Sequence, residues 1–283
     1  MLSRRWIINY ILVFLVILFT YIGNKYEVQT GYQPDHRITR LEQAQIDRIS
    51  IDTANDSISL IKSDGNWHLE SPLRWPANNT NINRLTDLVN QQTESRLPAA
   101  EADLKAFGLM FPRASLQLND QQIVFGATNN IGDRRYLLID STVFLIPDIH
   151  LVFITQGLTG LIDRRLLPDS RQLHSLQLPG YRIEQDSQGS WQLDSEINAT
   201  TTPSDLIGNW QNLEAQSINR FDSSRSPRQK ITAVLTDGKK QDFFLMAIEP
   251  EIVIANPELG MQYHFSADLY YELIAFRRNE ASD

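Results

Sequence analysis

A chain of 283 residues, 42% hydrophobic and 21% charged, carries enough apolar side chains for one large core or two ordinary ones, which excludes a disordered polypeptide. It has no cysteine, so disulfides, thiolate catalysis, cysteine-ligated zinc, iron–sulfur clusters and a lipidated N-terminal cysteine are excluded. A net charge of -8 makes phosphate backbones poor partners, and no nucleic-acid role is expected.

Residues 6–22 carry no charge, and at roughly 1.5 Å per residue they would reach about 25 Å, the short end of what crosses a bilayer. Trp6 and Tyr10 stand at one end of this stretch and Tyr21 and Tyr26 at the other, as expected for interfacial rings. Arg4 and Arg5 precede it, whereas Lys25 after it is offset by Glu27. The bias predicts a transmembrane anchor at 6–22 with residues 1–5 cytoplasmic. The chain is then a single-pass inner-membrane protein with its bulk periplasmic. The competing reading, a cleaved signal peptide, lacks a small-residue cleavage site after the span.

Residues 23–40, with Gly31 and Pro34, read as a stalk. A first repeat then occupies 41–160. Alternating Ile49 and Ile51, then Ile58 and Leu60, predict strands with one wet face, and Asp64-Gly65 predicts a hairpin turn before Trp67. Asn79 or Thr80 is the expected cap of a helix carrying Ile82, Leu85, Leu88 and Val89, and a second short helix is expected from Ala99 to Phe107. Strands are expected around 114–118, 123–125, 136–139 and 143–146. Pro147-Asp148 is then read as the start of an apolar helix.

After a joint at 161–172, the same order returns in 173–276, with Tyr181 to Gln185 matching the second strand and Trp191 matching Trp67; residues 277–283 are a tail. Thr202-Pro203-Ser204-Asp205 is a strong helix start. Ser266-Ala267-Asp268 is read as the cap of a last helix. The expected class is α+β: an N-terminal transmembrane helix followed by two tandem antiparallel-sheet-plus-helix repeats related by a pseudo-twofold axis.

The five histidines, His36, His68, His150, His174 and His264, show no metal-ligand spacing. No Gly-x-Ser-x-Gly elbow occurs, and the Gly126–Gly132 stretch lacks the ending that a phosphate loop needs. Asp133-Arg134-Arg135 and Asp163-Arg164-Arg165 are the conspicuous charge clusters. They read as solvated turn and linker charges rather than as contacts for a partner or an anionic headgroup. Trp67 and Trp191 read as core anchors rather than ligand platforms. No catalytic, cofactor-binding or metal-binding residue is nominated, and no cofactor is expected.

The Asp64-Gly65-x-Trp67 hairpin, Ser71-Pro72, Phe107-Gly108-Leu109 before Pro112, Gly126, the Tyr136 strand and Asp163-Arg164-Arg165-Leu166-Leu167 follow one another in an order that resembles the bacterial family called domain of unknown function 4340, over roughly 41–180. The resemblance implies envelope proteins with an N-terminal anchor, some of them non-catalytic accessory subunits of ABC-type export or gliding-motility systems, and carries no catalytic residue. The expected function is that of a non-enzymatic accessory or scaffold subunit that binds another envelope protein. A small-ligand or lipid-binding module with its site between the repeats is the alternative, and an envelope hydrolase is the third reading.

Overall fold

Alternation of apolar and polar residues along short runs sets the architecture, because a pleated strand sends successive side chains to opposite faces. The computed structural model describes residues 13–18, 36–129, 131–168, 172–194 and 201–277. The chain divides into two units, 1–37 and 38–283.

In the first unit, residues 13–18 are helical with exposed side chains, and residues 6–12 and 19–22 of the expected anchor lie outside the described residues. No helix among the described residues is long and apolar enough to cross a membrane. This finding corrects the expected transmembrane helix and, with it, the single-pass inner-membrane placement.

The second unit is built on two large antiparallel sheets. The first contains β1 (Arg48–Thr53), β2 (Ser57–Ser63), β3 (Asn66–Ser71), β4 (Trp75–Pro76), β5 (Arg96–Pro98), β6 (Ala114–Leu118), β7 (Gln121–Asn129), β8 (Arg134–Ile139) and β9 (Thr142–Pro147), in the order β4-β3-β2-β1-β6-β7-β8-β9-β5. The second contains β10 (Leu173–Leu178), β11 (Tyr181–Gln185), β12 (Trp191–Leu193), β13 (Ser217–Arg220), β14 (Gln229–Leu235), β15 (Lys240–Ala247), β16 (Glu251–Asn256) and β17 (Met261–Ser266). Its order, β12-β11-β10-β14-β15-β16-β17-β13, is that of the first sheet without a counterpart of β4.

Among the described residues of this unit helices are few and short: α1 (Asn79–Thr86), α2 (Leu151–Thr155), α3 (Gly157–Leu161), α4 (Pro203–Asn212) and α5 (Tyr270–Leu273). The expected α+β class is therefore corrected to a mostly β fold. The physical reason lies in the helix ends. Asn78, not Asn79 or Thr80, caps α1 by accepting from the Asn81 amide, and the apolar run beyond Thr86 tightens into a 3-10 turn at Asp87–Asn90. The helix breaks between α2 and α3 at Gln156, and Gly157, the first residue of α3, takes up a φ of 59°. The stretch expected as a helix from Ala99 is a 3-10 turn at Ala99–Glu101 followed by tight turns. There the Phe107 carbonyl accepts from the Ala127 amide of β7 instead of a helical donor. Asp148 does not start α2, because its carboxylate is paired with Arg135. No side chain caps the 3-10 turn Ala267–Leu269 that precedes α5. Only α4 opens as its sequence dictates, with a reciprocal capping box between Thr202 and Asp205.

One hydrophobic core runs through both sheets, from Ile49, Leu60 and Trp67 to Trp210, Phe243 and Tyr263. Burying apolar area at about 25 cal/mol per Å² makes this continuity the main cohesive force between the repeats. Directional bonds reinforce it. The joint residues pair on one side with the first repeat, through an Ala77–Ile162 bridge and an Asp163 amide donating to the Pro76 carbonyl at 2.9 Å. On the other side they pair with the second repeat, through an Arg165–Glu214 bridge and the Ala215 amide donating to the Arg164 carbonyl at 2.9 Å. Trp210 fixes α4 to α5 by donating its indole N–H to the Leu273 carbonyl at 2.7 Å.

Candidate functional site

The conspicuous charges turn out to be largely structural. Alternation along β8 sends Arg135 to the core face, where it is buried. Its guanidinium donates to Asp148 through Nε (2.7 Å) and Nη2 (2.6 Å), to Thr128 Oγ1 at 2.8 Å, and through Nη1 to the Gly126 carbonyl. These Arg135 hydrogen bonds hold the Asp148 carboxyl below its usual range against the opposing effect of burial. Arg135 is thus neither a solvated turn charge nor a headgroup contact. The Phe107-Gly108-Leu109 turn closes over the same place. A Cβ on Gly126 would collide with the Phe107 carbonyl and the Leu109 side chain, and the Phe107 ring stacks on Tyr136 at 4.1 Å.

In the second cluster, Asp163 accepts from the Arg165 amide (2.9 Å) and pairs with its guanidinium (2.6 Å), which shapes the joint. Arg164 reaches Glu214 at 3.2 Å, and its Nε–H is buried without a partner. Trp67 is buried in the core, while Trp191 is half-buried against it.

Two clefts that share Arg84 and Phe153 lie beside α1. One, of about 550 Å³, is walled by Gln43, Thr80, Asn83, Asp87, Ile149 and His150. His150 Nδ1 is 3.2 Å from the Arg84 carbonyl, which only accepts, so the proton sits on Nδ1 and the buried Nε2 lone pair has no partner. Burial lowers the pKa of this imidazole and keeps it neutral. The other cleft, of about 450 Å³, lies at the joint between the repeats. It is lined by α1 and α3, by Arg164, and by Gln216 to Asn219 at β13.

A third feature is an apolar end of the first sheet. The register Thr53↔Ala114, Ala114↔Phe125, Asn129↔Arg134 and Arg134↔Pro147 brings the start of β6, the β7–β8 hairpin tip and the exit of β9 to one end. Met110 and Phe111 precede β6, Ile131 sits at the hairpin tip, and Ile149 and Val152 follow β9. All are exposed, Phe111 and Ile131 to 81% and 82%. Adjacent strands lie about 4.8 Å apart, so β6 to β9 set these side chains across roughly 14 Å. The other large hydrophobic exposed among the described residues of this unit is Tyr271.

Among the described residues no group of three or more His, Asp or Glu is placed to hold a metal ion. His264 donates from Nδ1 to Glu251 at 2.8 Å. Its Nε2 accepts from the Asn219 and Gln262 amides at 3.2 and 3.1 Å, so no hydroxyl is activated there. The sequence offers a site between the repeats as an alternative, but it nominates no residue of these features as a site residue. Each is assembled from segments far apart in the chain.

Two sheets of matching strand order, stitched by one joint and carrying a cleft at that joint, define a duplicated β protein. The family model described as Domain of unknown function (DUF4340) matches residues 67–242, more than half of the chain, and the chain belongs to that family. The match opens at Trp67 in β3 and closes at Asp242 in β15, so it takes in more of the second sheet than the motifs of the first repeat indicate. No curated protein and no solved structure matches the chain.

Proposed function

We propose that this protein is a non-enzymatic accessory or scaffold subunit that holds another protein, an ABC-type export system being the assembly that the family resemblance supplies. The reading includes no membrane span. The observation that carries it is the apolar end of the first sheet. Five large hydrophobic side chains on three separate segments are uncovered at one end of a sheet that buries its other apolar side chains in a continuous core. Clustered exposed apolar groups of this kind mark interaction surfaces, whereas isolated ones do not. Co-purification of the full chain with Phe111→Ser and Ile131→Ser introduced together tests it. Loss of a partner that the unaltered chain retains, with unchanged thermal stability, is expected. Retention of the same partner would overturn the assignment of this end.

A second reading places a small ligand at the joint between the repeats. The cleft of about 450 Å³ there favours it, since sites of this size recur where two structural units meet. Titration of small polar molecules into the protein, followed through the side-chain amide signals of Asn81 and Asn219, tests it.

A further inference from the structure

The lining of the joint cleft has a definite electrostatic character. The chain has 34 acidic residues against 26 basic ones, yet this cleft is lined by two arginines, Arg84 and Arg164, and by no carboxylate. The Arg84 guanidinium makes no hydrogen bond or ion pair among the described residues. Arg164 is tied to Glu214 through Nη2 alone, which leaves its buried Nε–H unpartnered. A guanidinium fork matches the oxygens of a carboxylate or phosphate. The remaining polar lining is neutral. The Gln216 side-chain amide and the Ser217 hydroxyl make no hydrogen bond among the described residues, and Phe153 adds an apolar wall.

Building on the second reading above, we infer that the joint cleft binds a small hydroxylated anion. Its carboxylate or phosphate lies between Arg84 and Arg164. Its hydroxyl groups meet Gln216 and Ser217, and its apolar face lies on Phe153. The volume suits a molecule of monosaccharide size. Because the lining comes from α1, the joint and β13, occupancy would draw the first and second repeats together.

Calorimetric titration of the full chain at low salt with glucose 6-phosphate, glucuronate and glucose, in separate arms, tests this assignment. The first two distinguish a phosphate source from a carboxylate source, and the third removes the charge. We expect one or both anions to bind and glucose not to. Binding should weaken as salt is raised, and Arg84→Gln should lower affinity at least about tenfold with unchanged thermal stability. Equal binding of glucose and its anionic relatives would overturn the anion assignment and leave a ligand cleft standing. No binding in any arm would overturn both. Binding of an anion that Arg84→Gln does not weaken would place it elsewhere and overturn this site.

Discussion

Arg135 and Asp148 form a two-pronged pair, with Nε to Oδ1 at 2.7 Å and Nη2 to Oδ2 at 2.6 Å, on the core side of the first sheet. The arginine also satisfies Thr128 and the Gly126 carbonyl, so it ties β7, β8 and the exit of β9 together under the Phe107 turn. A buried charge with all its hydrogen bonds made is tolerated, and the same charge stripped of its partner is not. Asp148→Ala should therefore cost about 3–5 kcal/mol in a denaturant titration, far more than an exposed pair such as Arg220–Asp56, worth about 1 kcal/mol or less. The depressed Asp148 pKa also carries a sign. Its stabilisation is present above the ordinary value of 3.8 and is lost as pH falls through the lowered one.

Two glycines should answer oppositely to the same substitution. Gly126→Ala would drive a methyl into the Phe107 carbonyl and Leu109, costing about 1–3 kcal/mol. A methyl added to Gly208, inside α4, would meet nothing within 4 Å, so Gly208→Ala should stabilise by about 0.5–1 kcal/mol through helix propensity. Thermal denaturation of the two variants beside the unaltered chain gives the two signs directly.

His150 gives the fold an acid-sensitive element. Its folded-state pKa lies below the ordinary 6.5 because burial penalises the charged ring, so the unfolded chain takes up the proton first as pH falls. The stability associated with the neutral ring is complete above about pH 6.5 and declines below it. Comparing unfolding free energies of the unaltered chain and His150→Asn from pH 7.5 to 5 should show a gap that shifts in favour of the variant as pH falls. A gap constant with pH would refute the account of this imidazole.

What the sequence showed and hid follows from the range of the interactions involved. The Asp64-Gly65 turn, at φ 51° and 83°, and the Thr202 capping box are written in adjacent residues and are legible there. The edge strands β5 and β13 are not. They are three and four residues long, and β5 ends in a proline, so their strand character comes from pairing with β9 and β17. Arg135 looks like a hairpin charge until register assigns it to the core face. The joint cleft draws on Arg84, Arg164 and Ser217, and the apolar end on Phe111, Ile131 and Val152. Lone residues of these types carry no signal until the sheets bring their segments together.

Site-specific photo-crosslinking in cells asks whether the apolar end of the first sheet holds another protein. The crosslinking side chain is placed at position 131, with position 239, an exposed turn lysine of the second sheet, as the control. A discrete adduct with one protein is expected from position 131 and none from position 239. Equal labelling at both positions, or none at 131, would contradict it.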